Sequence, residues 1–387
     1  KQSKPINGYF FVGENGKLEA VRSFLTYSAQ GHGQKIWLYS QQGTDWLLRD
    51  ADYRFEWQNR NFAVLENNEI HVLHPVYKDY RHIAEYMLRW IPLHMYGEAF
   101  AYYIPQYQLT TSDFTLCLTE GAVGLVSITS AGDPNRVITY LLSDPESLQS
   151  LKDLMTSYFR QAKPLFSRFS YADSIQYCET YSRFCKGCAN GICITAGPPL
   201  FLIRRALLQE FLQDEYSRIL PGISFEESSR NGLAPITVVF QLDQMRNLIR
   251  PRQALLRTLS YYAGHQISIR QDQFRQCLTD ILDLAETEPN IRILVTEHSP
   301  FYPHNDIDMF VREQEIAGFV SSYYHTERIT RTLTLQERTV VSALYHNLDY
   351  YVNTHPNRDM PLSEARACIE ELFCKYPIEA CMDVPYV

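Results

Sequence analysis

Four cysteines, Cys178, Cys185, Cys188 and Cys193, fall within sixteen residues at the spacing C-x6-C-x2-C-x4-C. Two thiolates separated by two residues can chelate one metal from a tight turn, and Gly187 lies inside that turn. Four thiolates would close a tetrahedral structural zinc site, and an iron–sulfur cluster takes the same number. The spacing matches no usual zinc-finger or ferredoxin pattern, so free thiols or a local disulfide are the competing reading. A four-cysteine site keeps no open coordination position and would be structural, with no catalytic role.

A second set of residues sits where strands are expected to stop. Ile70-His71-Val72-Leu73-His74 reads as a strand ended by Pro75. In α/β folds the carboxyl ends of strands line ligand sites. That nominates His74 and Lys78 for an anionic ligand, with Tyr39, Ser40 and Tyr103 at neighbouring strand ends. The alternative is a buried histidine satisfied by hydrogen bonds beside a solvated lysine. His298, His304 and Asp306 form a third group in a turn-rich stretch, but no H-E-x-x-H pattern supports a metal there, and a structured loop is expected. The chain has no phosphate-binding G-x-x-x-x-G-K-[ST] loop, no G-x-G-x-x-G after a strand and no G-x-S-x-G elbow. Nothing resembles an assembled catalytic site, and the expectation is a protein that is not an enzyme.

The elements that must position these residues follow from periodicity. Leu18, Val21, Phe24, Leu25 and Ser28 mark a short amphipathic helix, preceded by a polar, turn-rich stretch over 1–16. Strands are predicted at 35–39 and 70–74. A helix over about 77–95 carries Ile83, Tyr86, Met87, Trp90 and Ile91 on one face. A strand at 99–104 and a hairpin over 114–129 come next. Then follow a strand at 137–142 and a helix from Pro145, with Asp144 as its N-cap. Residues 163–198 are polar and read as a connector. Beyond them the pattern predicts a helix at 200–219 and a strand at 236–242. A helix at 271–287, a strand at 291–296, a hairpin over 306–321 and a helix at 335–353 complete it.

Helix, strand, hairpin and helix thus recur in the same order in both parts, which predicts an internal duplication. The expected domains are a first half at 1–165, a cysteine-containing connector at 166–198 and a second half at 199–387. Two such units side by side would leave a cleft between them, a common place for a small-molecule effector.

Length and composition set the outer bounds. A chain of 387 residues exceeds one ordinary core. The net charge of −8 argues against a free-standing nucleic-acid binder. The local cluster Arg246, Arg250, Arg252 and Arg257 reads as a solvated surface. No apolar run approaches the roughly 18 residues needed to span a bilayer. Nine cysteines without a secretory signal imply a reducing, cytoplasmic compartment. The 27 tyrosines and 20 phenylalanines suit aromatic-lined pockets or a homodimer interface.

The order helix 17–30, strand 35–39, strand 70–74, a helix ending in Trp90-Ile91-Pro92-Leu93-His94-Met95-Tyr96-Gly97, strand Ala101-Tyr102-Tyr103 and hairpin resembles large regulators of gut Firmicutes. These carry an N-terminal helix-turn-helix followed by a phospholipase D-like region without its catalytic motif. The resemblance covers about residues 13–165. It implies an α/β fold of two similar phospholipase D-like halves packed side by side. It also implies a ligand-sensing or effector-binding role in transcription regulation, with DNA contacted only through a segment before Lys1. Active phospholipase D enzymes carry H-x-K-x4-D in each half. Here His74-Pro75-Val76-Tyr77-Lys78-Asp79 has the residue types at a different spacing, so a two-histidine phosphoryl transfer is not expected. A phosphodiester-processing enzyme with a degenerate site and a structural homo-oligomerisation module remain the other expectations.

Overall fold

A computed structural model describes residues 8–41, 63–65, 67–75, 80–95, 98–105, 112–130, 136–212, 224, 226, 229, 232–250, 253–297, 307–321 and 332–376. The chain divides into two compact units, Lys1–Phe166 and Ser167–Val387.

The first unit runs β1 (Gly8–Val12), α1 (Gly13–Ala29), β2 (Lys35–Ser40), β3 (Glu69–His74), α2 (Tyr80–Met95), β4 (Ala99–Tyr103), β5 (Ser112–Thr119), β6 (Val123–Ser130), β7 (Val137–Leu142), α3 (Pro145–Phe159) and β8 (Lys163–Pro164). Its sheet has the order β1-β7-β6-β5-β2-β3-β4-β8. Strands β2, β3 and β4 are parallel, in register Ile36–Ile70 and Ile70–Ala99. Strand β2 pairs antiparallel with β5 on its other side, in register Ser40–Thr115. The N-cap of α3 is Asp144, whose carboxylate accepts from Ser147 N–H at 2.9 Å, with Pro145 opening the helix as its sequence predicts.

The second unit runs β9 (Phe166–Phe169), α4 (Ser174–Lys186), β10 (Gly191–Thr195), α5 (Arg205–Leu212), β11 (Ile236–Gln241), α6 (Leu242–Ile249), β12 (Gln253–Leu255), α7 (Arg257–Ala263), β13 (Ser268–Arg270), α8 (Gln271–Thr287), β14 (Ile291–Thr296), β15 (Ile307–Arg312), β16 (Ile316–Ser321), β17 (Thr332–Leu335), α9 (Arg338–Thr354) and α10 (Leu362–Lys375). Its sheet has the order β14-β11-β10-β15-β16-β17-β9. Strands β10, β11 and β14 are parallel, and β15, β16 and β17 continue antiparallel from β10.

Reading outward from the parallel side, β4-β3-β2-β5-β6-β7-β1 and β14-β11-β10-β15-β16-β17-β9 are the same order. The parallel and antiparallel senses agree at every pair from β4 to β7 and from β14 to β17. Helices α1 and α4 precede the central strand, α2 and α8 lead into the outer parallel strand, and α3 and α9 follow the antiparallel strands. The fold is α/β with two mixed sheets, and the second unit repeats the first.

That equivalence corrects the expected connector at 166–198. Its residues are β9, α4 and β10, the counterparts of β1, α1 and β2. Gln176, Glu179, Arg183 and Lys186 lie on the outer face of α4. Tyr177, Cys178, Tyr181, Phe184 and Cys185 face inward at helical spacing. Strand β10 is buried along its whole length, as a central parallel strand must be. The polar stretch at 1–16 likewise contains β1, and α1 begins at Gly13. The helix expected at 200–219 is helical only over a short 3-10 turn and α5 among the described residues.

Arg312 ties α4 to the second sheet. Its guanidinium is fully buried, donates to the carbonyls of Phe184 (2.5 Å) and Ala189 (2.6 Å), and stacks 5.0 Å from the Phe184 ring. These carbonyls lie at and just past the helix C-terminus, where the helix dipole favours a cation. Gly187 leaves the room: a Cβ there would fall 2.5 Å from Arg312 Cδ. Replacing Arg312 by Met strands one buried and one part-buried acceptor, at about 1–3 kcal/mol each. Arg312→Met is therefore expected to lower the urea midpoint by an amount equivalent to roughly 2–5 kcal/mol, with the slope unchanged.

Candidate functional site

The strand ends of the first unit come first. Side chains alternate across a sheet, and this separates the expected ligand residues. Tyr39 packs edge-on against Phe114 and at a tilt against Tyr158 of α3, on one face. His74 lies on the opposite face against α2. Its Nδ1 is 3.0 Å from the Tyr86 hydroxyl, and its Nε2 is 2.8 Å from Nε2 of His94. Trp90 stands edge-on to His74 at 5.4 Å. Both ring nitrogens of His74 are thus engaged, and the side chain is 2% exposed. Burial, with the neighbouring His94, holds the His74 pKa well below its usual value, and burial brings His94 down to about 4. Tyr103 pairs in register with His74 and is half-buried. Lys78, His298, His304 and Asp306 lie outside the described residues.

Ser40 belongs to a cluster that the sequence reading missed. Its hydroxyl is 2.8 Å from Thr115 Oγ1, which accepts from Lys17 Nζ at 3.1 Å. Lys17 is 1% exposed, and burial pushes its pKa down to about 7. A lysine one position before Leu18 in an amphipathic helix reads as solvated; only the packing of α1 on β6 and β7 turns it inward. The polar groups of this strand end therefore close on one another.

The four cysteines do not converge. Cys178 and Cys185 are both on α4, separated by two turns, or roughly 10 Å of helix axis. Thiolates on one zinc ion need sulfurs about 2.3 Å from the metal. Cys193 is on β10 and buried, while Cys188 is exposed. Burial pushes the Cys178 and Cys185 thiols up to about 12 and raises Cys193 well above its ordinary value, against the thiolate form that metal needs. Among the described residues, no group of three or more His, Cys, Asp or Glu side chains could hold a metal ion. The structural zinc expected at Cys178, Cys185, Cys188 and Cys193 is replaced by core packing, because helical spacing turned two of them into α4's buried face.

The second unit is different at the equivalent place. Asp308 and Thr195 lie one position beyond the register pair Met309–Ile194, where Thr115 and Ser40 stand in the first unit. They border a shallow recess with a cavity volume of about 20 Å³, within about 330 Å³ of space that includes open solvent. Leu200, Ile203, Leu248, Leu255, Leu256 and Leu259 supply its apolar lining. At one wall Arg257 approaches Asp308, NH1 to Oδ2 3.5 Å, with side chains only 2% and 13% exposed. The other carboxylate oxygen accepts from Ala196 N–H at 2.9 Å. Thr195 Oγ1 accepts from Gly197 N–H at 3.0 Å, fixing the turn that leaves β10. The sequence placed Arg257 on a solvated basic surface with Arg246 and Arg250. Its immediate setting, Ala254-Leu255-Leu256-Arg257-Thr258-Leu259, is an apolar run around one cation, and that was the available signal.

No protein-family model matches the chain, and no curated protein matches it in sequence. Among solved structures it is similar to NucT from Helicobacter pylori, with TM-score 0.31 and 8% identity over 41% of this chain and 99% of that one. It is similar to the phosphatidylserine synthase of Haemophilus influenzae, with TM-score 0.30 and 9% identity over 96% of this chain and 95% of that one. It is also similar to TrmBL2, an archaeal chromatin protein, with TM-score 0.28 and 8% identity over 41% of this chain and 54% of that one. At such scores these similarities concern the arrangement of elements and assign no residue a role. Among the described residues, no helix is long and apolar enough to cross a membrane.

Two outcomes follow from the geometry. The unfolded chain protonates its histidines near the ordinary value of 6.5, whereas the buried pair resists protonation down to about 4 for His94 and lower than usual for His74. Stability from this pair is thus complete above about pH 6.5 and is lost as the pH falls through that window. Tryptophan fluorescence against pH should show an acid transition there, and His94→Leu should flatten it. Metal analysis of the purified protein should find less than about 0.2 equivalents of zinc or iron.

Proposed function

We propose that the chain is a non-enzymatic effector-binding region of a transcriptional regulator, and that the recess beside Arg257 and Asp308 receives the effector. The contrast between the two strand ends carries this reading. Ser40, Thr115 and Lys17 close on one another in the first unit, whereas the second unit's counterparts border an aliphatic recess. Apolar recesses with a few convergent polar groups, at the carboxyl ends of parallel strands, are where α/β proteins hold small ligands.

The non-enzymatic part is supported by His74. A histidine acting as nucleophile or general base needs a ring nitrogen within hydrogen-bond reach of its substrate. Both nitrogens here are turned to Tyr86 and His94 in a buried site. The regulatory part is supported by the resemblance of residues 13–165 to gut Firmicutes regulators. In this reading DNA contact belongs to a helix-turn-helix outside these residues, in keeping with a net charge of −8.

Thermal-shift screening of the chain against small metabolites tests the assignment. A true effector in excess should raise Tm by mass action. Gly197→Val should abolish the shift by filling the recess wall. A Cβ at Gly197 meets Leu248 and Phe274 at 3.7 Å, an ordinary contact, and the melting temperature of the unliganded variant checks that it folds. A shift that persists in Gly197→Val would move the ligand elsewhere and sink the recess assignment.

A further inference from the structure

Side chains on a strand alternate between the two faces of its sheet. Across β1, β7, β6 and β5, Phe10 stands beside Tyr140, Val12 beside Ile138, Ile138 beside Ile128, and Ile128 beside Phe114. All of them project from one face of the first sheet. Helix α3 covers only part of that face. Its Tyr158 packs on Phe114, and a Cβ at Gly124 would meet its Leu151 at 2.8 Å. Beyond the helix, Phe10, Val12, Ile128, Ile138 and Tyr140 are left 40–65% exposed. Leu154 of α3 is also exposed, one turn from Leu151 on the flank turned away from Phe159, which packs on Trp37 of β2. Six of the ten exposed large apolar side chains among the described residues thus share one patch.

Six large side chains about half exposed leave on the order of 500 Å² of apolar surface, near the upper end for one patch on a monomer. A standard interface takes about 800 Å² from each partner, a little over half of it apolar. The patch supplies that apolar share. Strands β1, β6 and β7 contain no charged residue. Copies related by a two-fold axis present the same patch to each other, and a patch without charge meets itself without repulsion. In the second unit the counterparts β16 and β17 bury their described side chains on both faces. The same place in the sheet is covered in one copy of the repeated unit and bare in the other.

We infer that this face is the interface of a homodimer, in which the sheets of two first units pack face to face across a two-fold axis. Aligned sheets pack about 10 Å apart with interdigitating side chains. Phe10 and Tyr140, with ring centroids 5.2 Å apart, supply the aromatic anchors. The inference stands independently of the recess in the second unit.

Sedimentation velocity of the whole chain, over a concentration series through the micromolar range, tests it. The expected species has twice the mass of one chain. Ile138→Glu combined with Tyr140→Glu sets two carboxylates in the middle of the patch and should raise the dimer dissociation constant at least about thirtyfold. Leu154→Glu, on a helix surface that suits Glu, should weaken the dimer too and decides the matter if the double variant does not fold. Tyr350→Glu, at an exposed position of α9 in the second unit, should leave the dimer intact. A wild-type chain that stays monomeric throughout the series would overturn the inference, as would a dimer that survives the patch variants. A monomer that floats with phosphatidylcholine vesicles, and loses them in Leu154→Glu, would overturn it by giving the face to a lipid surface.

Discussion

Each unit depends on one junction, where a central strand pairs parallel on one side and antiparallel on the other. Strand β2 holds β3 in parallel and β5 in antiparallel register; β10 does the same with β11 and β15. A strand in that position is covered on both faces, so its residues must be apolar until it leaves the sheet. Ile36, Leu38, Ile192 and Ile194 are accordingly buried. The first polar side chains after the apolar run, Ser40 and Thr195, arrive where the strand exits. The antiparallel neighbour contributes Thr115 or Asp308 at the same level. The duplicated architecture thus brings a pair of polar groups to the end of each central strand.

What each unit does with that pair differs through the helices that flank it. Helix α1 sends Lys17 to Thr115, and Thr115 also meets Ser40. The second unit has additional elements between β11 and β14, namely α6, β12, α7 and β13. Helices α6 and α7 bring Leu248, Arg257 and Leu259 around the strand end and leave a recess there. Insertion of these elements into one copy of a repeated unit is enough to give the two copies different chemistry. Buried charges tolerate this only when paired, which is why Arg257 stands beside Asp308 and Arg312 beside helix-end carbonyls.

Much of this was legible in the sequence, and for definite reasons. Helix α8 matches its expected span because Phe274, Cys277, Leu278, Ile281 and Leu282 repeat without interruption. The hairpin β15–β16 turns at Gln314, whose positive φ of 58° suits the expected Glu313-Gln314-Glu315 turn. The segment 166–198 failed for an equally definite reason. Its amphipathic helix is short, its outward residues are strongly polar, and four cysteines in a polar run suggest a metal knuckle. Cysteine is also a small buried hydrophobe, and α4 uses Cys178 and Cys185 that way.

The sequence by itself determined the α/β class, the order of most elements and the repeat, because periodicity and strand propensity act over a few residues at a time. It also placed His74 and Ser40 at strand ends. Only the tertiary structure decided which of those ends is closed and which is open. Burial of Lys17, engagement of both His74 nitrogens, and the meeting of Arg257 with Asp308 are contacts across 98, 12, 20 and about 50 positions of chain. Such contacts are set by how helices pack on the sheet, and no local pattern records that.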